Sequence, residues 1–246
     1  GPEYSSDEII SFLDAKKIPY IRFASKEDLA VRVAELLANN QAIGLCIGRM
    51  EFGPRALGNR SIIANPMTSG MQAKLNLKIK FRESFRPFAP TVLKEKCFQY
   101  FDLDSESPYM LLVAPVRENL RRPFDLSTML SQSSEDMLPV VNADRSTVPA
   151  VTHVDYTARI QTISREDNAF YYRIIAEFEK LTDCAVIVNT SFNVRGEPIV
   201  CTPAQAYLCF MRTDLDVLVL EDCILLKSEQ PPLDNDTDWR SEYELD

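Results

Sequence analysis

Arg55, Lys80, Arg82, Arg86 and Arg159 are the side chains in this sequence best suited to chemistry, and that chemistry is the gripping of anions. Four of the five fall between residues 49 and 90, a block with eight lysines or arginines and only two acids, Glu51 and Glu83. The block carries a net +6 inside a chain of formal charge −9, which leaves −15 for the remainder. Turn residues separate its cations: Gly53-Pro54, Gly58-Asn59 and Arg86-Pro87. Guanidinium forks held on ordered turns meet phosphate or carboxylate oxygens with several fixed donors at once. KIKFR alone reads as a solvated face, but Phe81, Phe85 and Phe88 interleave with its charges. Those aromatics anchor the segment and fix where the charges point. Arg159, between Ala158 and Ile160, either faces solvent or points inward and needs an anion, because a buried unpaired charge is costly.

Two other segments carry polar groups at telling places. Asn189, Thr190, Ser191 and Asn193 follow the apolar run Cys184 to Val188. Ligands of α/β proteins bind at the carboxyl ends of strands, where such hydroxyls and amides meet phosphate or sugar oxygens. The same residue types also make turns and caps. His153 and Asp155 would share one face of a strand, as a metal or base position or as a satisfied structural pair. His153 is the sole histidine, and none of the six cysteines forms a CxxC pair. The cysteines therefore read as reduced, buried thiols, and a structural zinc site is not expected. Neither a Walker A sequence nor G-x-G-x-x-G is present, so a P-loop or Rossmann site is unsupported.

The elements that must position these residues follow from pattern. Ser5 to Glu8 reads as a capping box opening a helix to about Ala15, and Ser25 opens another with Leu29, Val33, Leu36 and Leu37 at helical spacing. The spacing predicts strands over 42–47, 61–64, 89–93, 109–116, 148–155, 157–163 and 184–188, with a closing hairpin over 217–220 and 223–226. Helices are expected over 71–79 and 169–181, and from Pro203, which suits a first helical turn. Residues 117–147 read as a polar surface excursion. The domain is expected to span 1–227, followed by an acidic, solvated tail over 228–246. The mixture predicts one α/β domain, α+β-like, with a twisted mixed sheet.

A negative body argues against nucleic acid or an anionic membrane as partner, because both need a broad positive field. No apolar run approaches the roughly 20 residues that span a bilayer. With no signal peptide visible, a cytoplasmic setting is expected.

FGPRALGNRSI, KFRESFRPFAP, SPYML, PAVTHVDYTARIQT and NTSFNVRGEPIVCTP, in that order, resemble the carboxyl-terminal half of O-carbamoyltransferases of the NodU/CmcH/TobZ family. The resemblance reaches about residue 225, and the initial GPEYS resembles the family's inter-domain boundary. It implies a YrdC-like domain that takes carbamoyl phosphate and ATP to carbamoyladenylate with magnesium. It also implies a partner, an amino-terminal domain absent from this chain, which binds iron and transfers the carbamoyl group to a hydroxyl. By the same resemblance Lys80, Arg159 and Ser191 are catalytic, Arg55, Arg82, Arg86, Met110, Asn189 and Asn193 bind the nucleotide and phosphates, and Thr152 and His153 shape the pocket wall. No residue of this chain is expected to ligate a metal directly.

The family usually has glycine where Tyr156 stands and often tryptophan where Phe52 stands. The first difference puts the conformation of that loop in question if the glycine serves a positive φ. Two rival functions remain: a non-catalytic nucleotide- or RNA-binding module, and a threonylcarbamoyl-adenylate synthase.

Overall fold

The computed structural model describes residues 1–123 and 143–233. Residues 124–142 and 234–246 lie outside the described residues, and with them most of the expected excursion and most of the acidic tail.

Nine strands form the sheet among the described residues: β1 (Ile21–Arg22), β2 (Ile43–Cys46), β3 (Arg60–Ala64), β4 (Ala89–Leu93), β5 (Leu112–Pro115), β6 (Thr157–Ile163), β7 (Val186–Ser191), β8 (Val217–Leu220) and β9 (Cys223–Leu226). Their order is β1-β9-β8-β2-β3-β7-β4-β6-β5. β2 runs parallel to β8 and β4 to β6, and the other neighbours are antiparallel. This is the mixed α/β sheet that the patterning implies.

Local chemistry starts each long helix. Ser5 and Glu8 close a reciprocal capping box at α1 (Ser6–Ala15). The Ser25 side chain accepts from the Asp28 N–H at α2 (Lys26–Ala38). After the short α3 (Met71–Lys74) and α4 (Cys97–Tyr100), α5 (Ala169–Thr182) starts at Asn168 and ends where Asp183 turns left-handed at φ 58°. Thr202 and Gln205 box α6 (Pro203–Arg212), with Pro203 in its first turn. The caps satisfy N–H groups that a helix leaves unpaired, each typically stabilising by about 1 kcal/mol. Leu29, Val33 and Leu37 of α2 and Ile174, Ile175 and Phe178 of α5 are fully buried in one continuous core. No helix among the described residues is long and apolar enough to cross a membrane.

Three expected elements form differently. The helix over 71–79 is α-helical only to Lys74. It continues as a π-helical turn, Leu75–Lys80, and stops at Phe81 in the left-handed region, φ 51°. The π-helical turn ends with Lys80 buried beside the buried Ile79. The strand over 109–116 shrinks to Leu112–Pro115, because Met110 sits at φ 58° and breaks the extended run. The strand over 148–155 is absent. Pro149–Val151 makes a 3-10 turn, and Thr152 Oγ1 donates to the Val148 carbonyl at 2.9 Å. His153 and Asp155 consequently do not share a strand face. His153 N donates to Thr157 O at 2.8 Å and Tyr156 N to His153 O at 3.1 Å, which makes a tight turn.

Register assembles one polar face. Ser191 stands opposite Ser61, Asn189 opposite Ala89, and Thr91 opposite Gln161. Paired residues project to the same side of a sheet, and so do residues two apart along a strand. Asn189 and Ser191 of β7, Thr91 of β4, and Arg159 and Gln161 of β6 therefore share one face.

Candidate functional site

The basic loop 49–59 leaves β2 and returns to β3 above that face, and one carboxylate shapes it. Glu51 Oε1 accepts from the backbone N–H groups of Leu57 (2.6 Å), Asn59 (2.8 Å) and Arg60 (3.4 Å). Gly58 lies at φ 119°, and a Cβ there would come within 2.4 Å of the Tyr171 ring, so only glycine lets the loop sit this close. The exposed Arg55 is carried on this loop.

The second basic segment is held by amides. The buried Asn76 donates to the carbonyls of Ser84 and Arg86, each at 2.9 Å, and accepts from Arg82 Nε at 2.6 Å. The Arg82 guanidinium lies over the Phe88 ring, 4.9 Å from its centroid, so an aromatic does aim a charge here.

Lys80 is buried, and its ammonium donates to four neutral acceptors: Ser191 O (2.5 Å), Ser191 Oγ (3.2 Å), Asn193 O (3.0 Å) and Asn193 Oδ1 (2.7 Å). Burial, with the nearby Arg82 charge adding to it, pushes its pKa down to about 7. Burial and then Arg86 push Arg82 down to about 10, and burial and then Arg55 lower Arg159. Among the described residues Arg55, Lys80, Arg82 and Arg159 form no ion pair, whereas Arg86 reaches Glu83 at 2.9 Å. Glu197 also stands in the wall of the larger cavity beside these groups, yet the cations outnumber the carboxylates and are partly dehydrated, which makes the site complementary to an anion.

The candidates from sequence meet in two adjoining cavities. One, of about 130 Å³, is lined by Arg55, Arg82, Met110, Arg159, Asn189 and Ser191 among others. The other, of about 380 Å³, has Lys80, Arg82, Arg86, Ser191 and Asn193 in its wall. Arg82 and Ser191 border both. Of the two orientations open to Arg159, the structure shows the inward one. Thr152 and His153 line a third cavity of about 620 Å³, which shares Pro87 with the first. His153 Nδ1 lies 3.0 Å from Thr157 Oγ1, and Asp155 accepts from the same hydroxyl at 2.7 Å, so the pair reads as a turn. No group of three or more His, Cys, Asp or Glu side chains among the described residues is arranged to hold a metal.

Glu51, Asn76, Thr91, Gln161 and Tyr171 carry structure at this site that sequence reading missed. An acid inside the basic block was the available signal for Glu51. The others look like ordinary core or helix residues until their partners are known.

A family model described as carbamoyltransferase C-terminus matches residues 34–227. An uncharacterized protein of Synechocystis sp. is 53% identical over 100% of this chain and 40% of its own length. Nodulation protein NolO of Bradyrhizobium diazoefficiens is 39% identical over 92% of this chain and 38% of its own length. Nodulation protein U of Sinorhizobium fredii is 37% identical over 79% of this chain and 30% of its own length. The chain thus spans two-fifths or less of these relatives. Among solved structures, full-length HypF in its phosphate- and nucleotide-bound form gives a TM-score of 0.45 at 14% identity, covering 87% of this chain and 23% of that one. Sua5 of P. abyssi complexed with L-threonine gives 0.46 at 12%, covering 76% and 45%. On the family match and the nodulation relatives, this chain belongs to the carbamoyltransferase C-terminus family.

Proposed function

We propose that this chain binds carbamoyl phosphate and ATP and forms carbamoyladenylate, which a further part of the full-length enzyme passes to a hydroxyl acceptor. The observation that carries the reading is the cluster of Lys80, Arg82 and Arg159, dehydrated without ion pairs around cavities that meet at Arg82 and Ser191.

Carbamoyl phosphate first reacts with water, which breaks its bond to phosphate and leaves carbamate and inorganic phosphate. A carbamate oxygen then bonds the α-phosphorus of ATP while the bond to pyrophosphate breaks. Negative charge spreads over phosphoryl oxygens in the transition state, so catalysis is positioning and charge stabilisation. Arg55, Arg82 and Arg159 present guanidinium donors to those oxygens, and Arg86 and Asn193 border the neighbouring space. Ser191 Oγ donates to Asn193 Oδ1 at 2.7 Å, which holds both side chains for Lys80 and ligand alike. Met110 supplies an apolar wall beside the nucleotide. Magnesium would be held mainly by the ATP phosphates, whose charge it would neutralise, because the cavity walls offer cations and amides with Glu197 as a single carboxylate.

Titration calorimetry of the folded chain with ATP, magnesium and carbamoyl phosphate tests the reading, with pyrophosphate release as the activity readout. Binding of neither ligand would sink it.

A further inference from the structure

A buried chain of hydrogen bonds lies beneath the smaller cavity, and its direction is fixed. Tyr171 OH donates to Thr91 Oγ1 at 3.0 Å, and Thr91 Oγ1 donates to Gln161 Oε1 at 2.6 Å. Gln161 Nε2 donates to the Leu57 carbonyl of the basic loop at 3.1 Å, so the Gln161 amide cannot turn over without setting its oxygen against that carbonyl and its nitrogen against the Asn189 nitrogen. Gln161 Oε1 also accepts from Asn189 Nδ2 at 2.7 Å, and the same nitrogen donates to Ala56 O at 3.1 Å. Turning the Asn189 amide over would set its oxygen against both of those acceptors. Its nitrogen is therefore committed to the protein interior, and Oδ1 is left buried without a partner, on a residue that lines the cavity. Thr91, Gln161, Tyr171 and Asn189 are each nearly or wholly buried.

An unpartnered buried acceptor is costly unless a ligand completes it. The cations beside it are all donors, so Oδ1 is the group there that asks for an N–H. We infer that Gln161 is a positioning residue: it fixes the Asn189 amide so that Oδ1 accepts from the NH₂ of a carbamoyl group. The site then selects a carbamoyl over an acetyl group, which has nearly the same shape but a methyl in place of the amide. This rests on the carbamoyl phosphate reading above and specifies which end of that ligand meets β7.

Competition binding on the 246-residue chain with magnesium and ATP compares carbamoyl phosphate, acetyl phosphate and inorganic phosphate. The expected result is a preference of about ten- to a hundredfold for carbamoyl over acetyl phosphate in the unaltered protein. Gln161→Met removes one of the two acceptors that hold the Asn189 nitrogen inward and leaves Ala56 O alone, so the amide is less firmly oriented. The preference should then fall to about threefold or less, a ratio that loss of general packing would not move. Thr91→Val, a smaller change that removes one donor from Gln161, should lower it partway and stands in if Gln161→Met does not fold. Equal affinity for the two acyl phosphates, or a preference untouched by both variants, would overturn the inference while leaving the function above intact. Binding of none of the three would remove the function and the inference with it.

Discussion

The ammonium of Lys80 donates to both the backbone carbonyl and the hydroxyl of Ser191, which joins the end of the π-helical turn to the end of β7. The two residues are 111 apart in sequence, and between them they tie the basic block to the NTSFN segment. Lys80→Met should abolish this tie and lower pyrophosphate release by on the order of 10²–10³. Steady-state kinetics on the purified variant check it. A drop smaller than about tenfold would place Lys80 outside the chemistry.

The same lysine predicts a dependence of stability on pH. Its folded pKa, about 7, lies below the ordinary value of 10.5. Between these values the unfolded chain holds the proton more often than the folded one, so unfolding free energy rises with pH there. The slope is at most about 1.4 kcal/mol per pH unit. Urea melts from pH 7 to 8.5 should show this rise in the unaltered protein and a smaller one in Lys80→Met, where the half-buried Lys227, lowered to about 8, still contributes.

Arg159→Met should separate binding from stability. It removes a half-buried cation that has no ion pair, so the melting temperature should hold or rise. Affinity for carbamoyl phosphate should fall by about ten- to a hundredfold, the loss of one or two charge-assisted hydrogen bonds. Parallel thermal melts and calorimetry decide it.

Glu51 should matter through the loop it holds. Glu51→Ala strips three backbone N–H groups of their acceptor and should cost about 2–3 kcal/mol in urea melts. Glu51→Gln keeps a carbonyl oxygen in place and should cost less than half as much. Because Arg55 rides on this loop, ATP affinity should follow the same order.

Tyr156 offers a backbone test. It adopts φ 65°, with its hydroxyl donating to Arg122 O at 3.3 Å and the Arg121 guanidinium over its ring. A tyrosine thus holds this turn in the left-handed region that glycine adopts most freely. Left-handed backbone costs a non-glycine residue about 1–2 kcal/mol, and more for a β-branched side chain. Tyr156→Gly should therefore shift stability by less than about 1 kcal/mol, because relief of strain offsets loss of the ring, whereas Tyr156→Val should destabilise clearly. Denaturant melts of the two variants distinguish these outcomes.

What the sequence discloses here is whatever acts locally. Ser5 and Glu8, Ser25, and Thr202 with Gln205 announce their helices because a cap and its partner stand three residues apart. The anion site shows as excess charge between Arg49 and Arg86. The π-helical turn does not show, since LNLKIK fits an α-helix equally well. The segment from Val148 to Asp155 looks extended by composition, but Pro149 lacks an N–H and Thr152 bonds back to Val148, so a turn wins. Gln161 and Asn189 need each other, Ala56 and Leu57 to make sense, and Leu57 is 104 residues from Gln161.

The placement of β7 between β3 and β4 has a kinetic meaning. The polar face is shared by β4, β6 and β7, and the loop before β3 closes over it, so its members come from residues as far apart as 55 and 191. Each pairing closes a long stretch of chain, and such pairings form late. No fragment of the fold can hold the site by itself, so anion binding should appear only in the last folding step. A ligand at a hundred times its dissociation constant would then add about 2.7 kcal/mol to the stability of the whole sheet rather than to one loop.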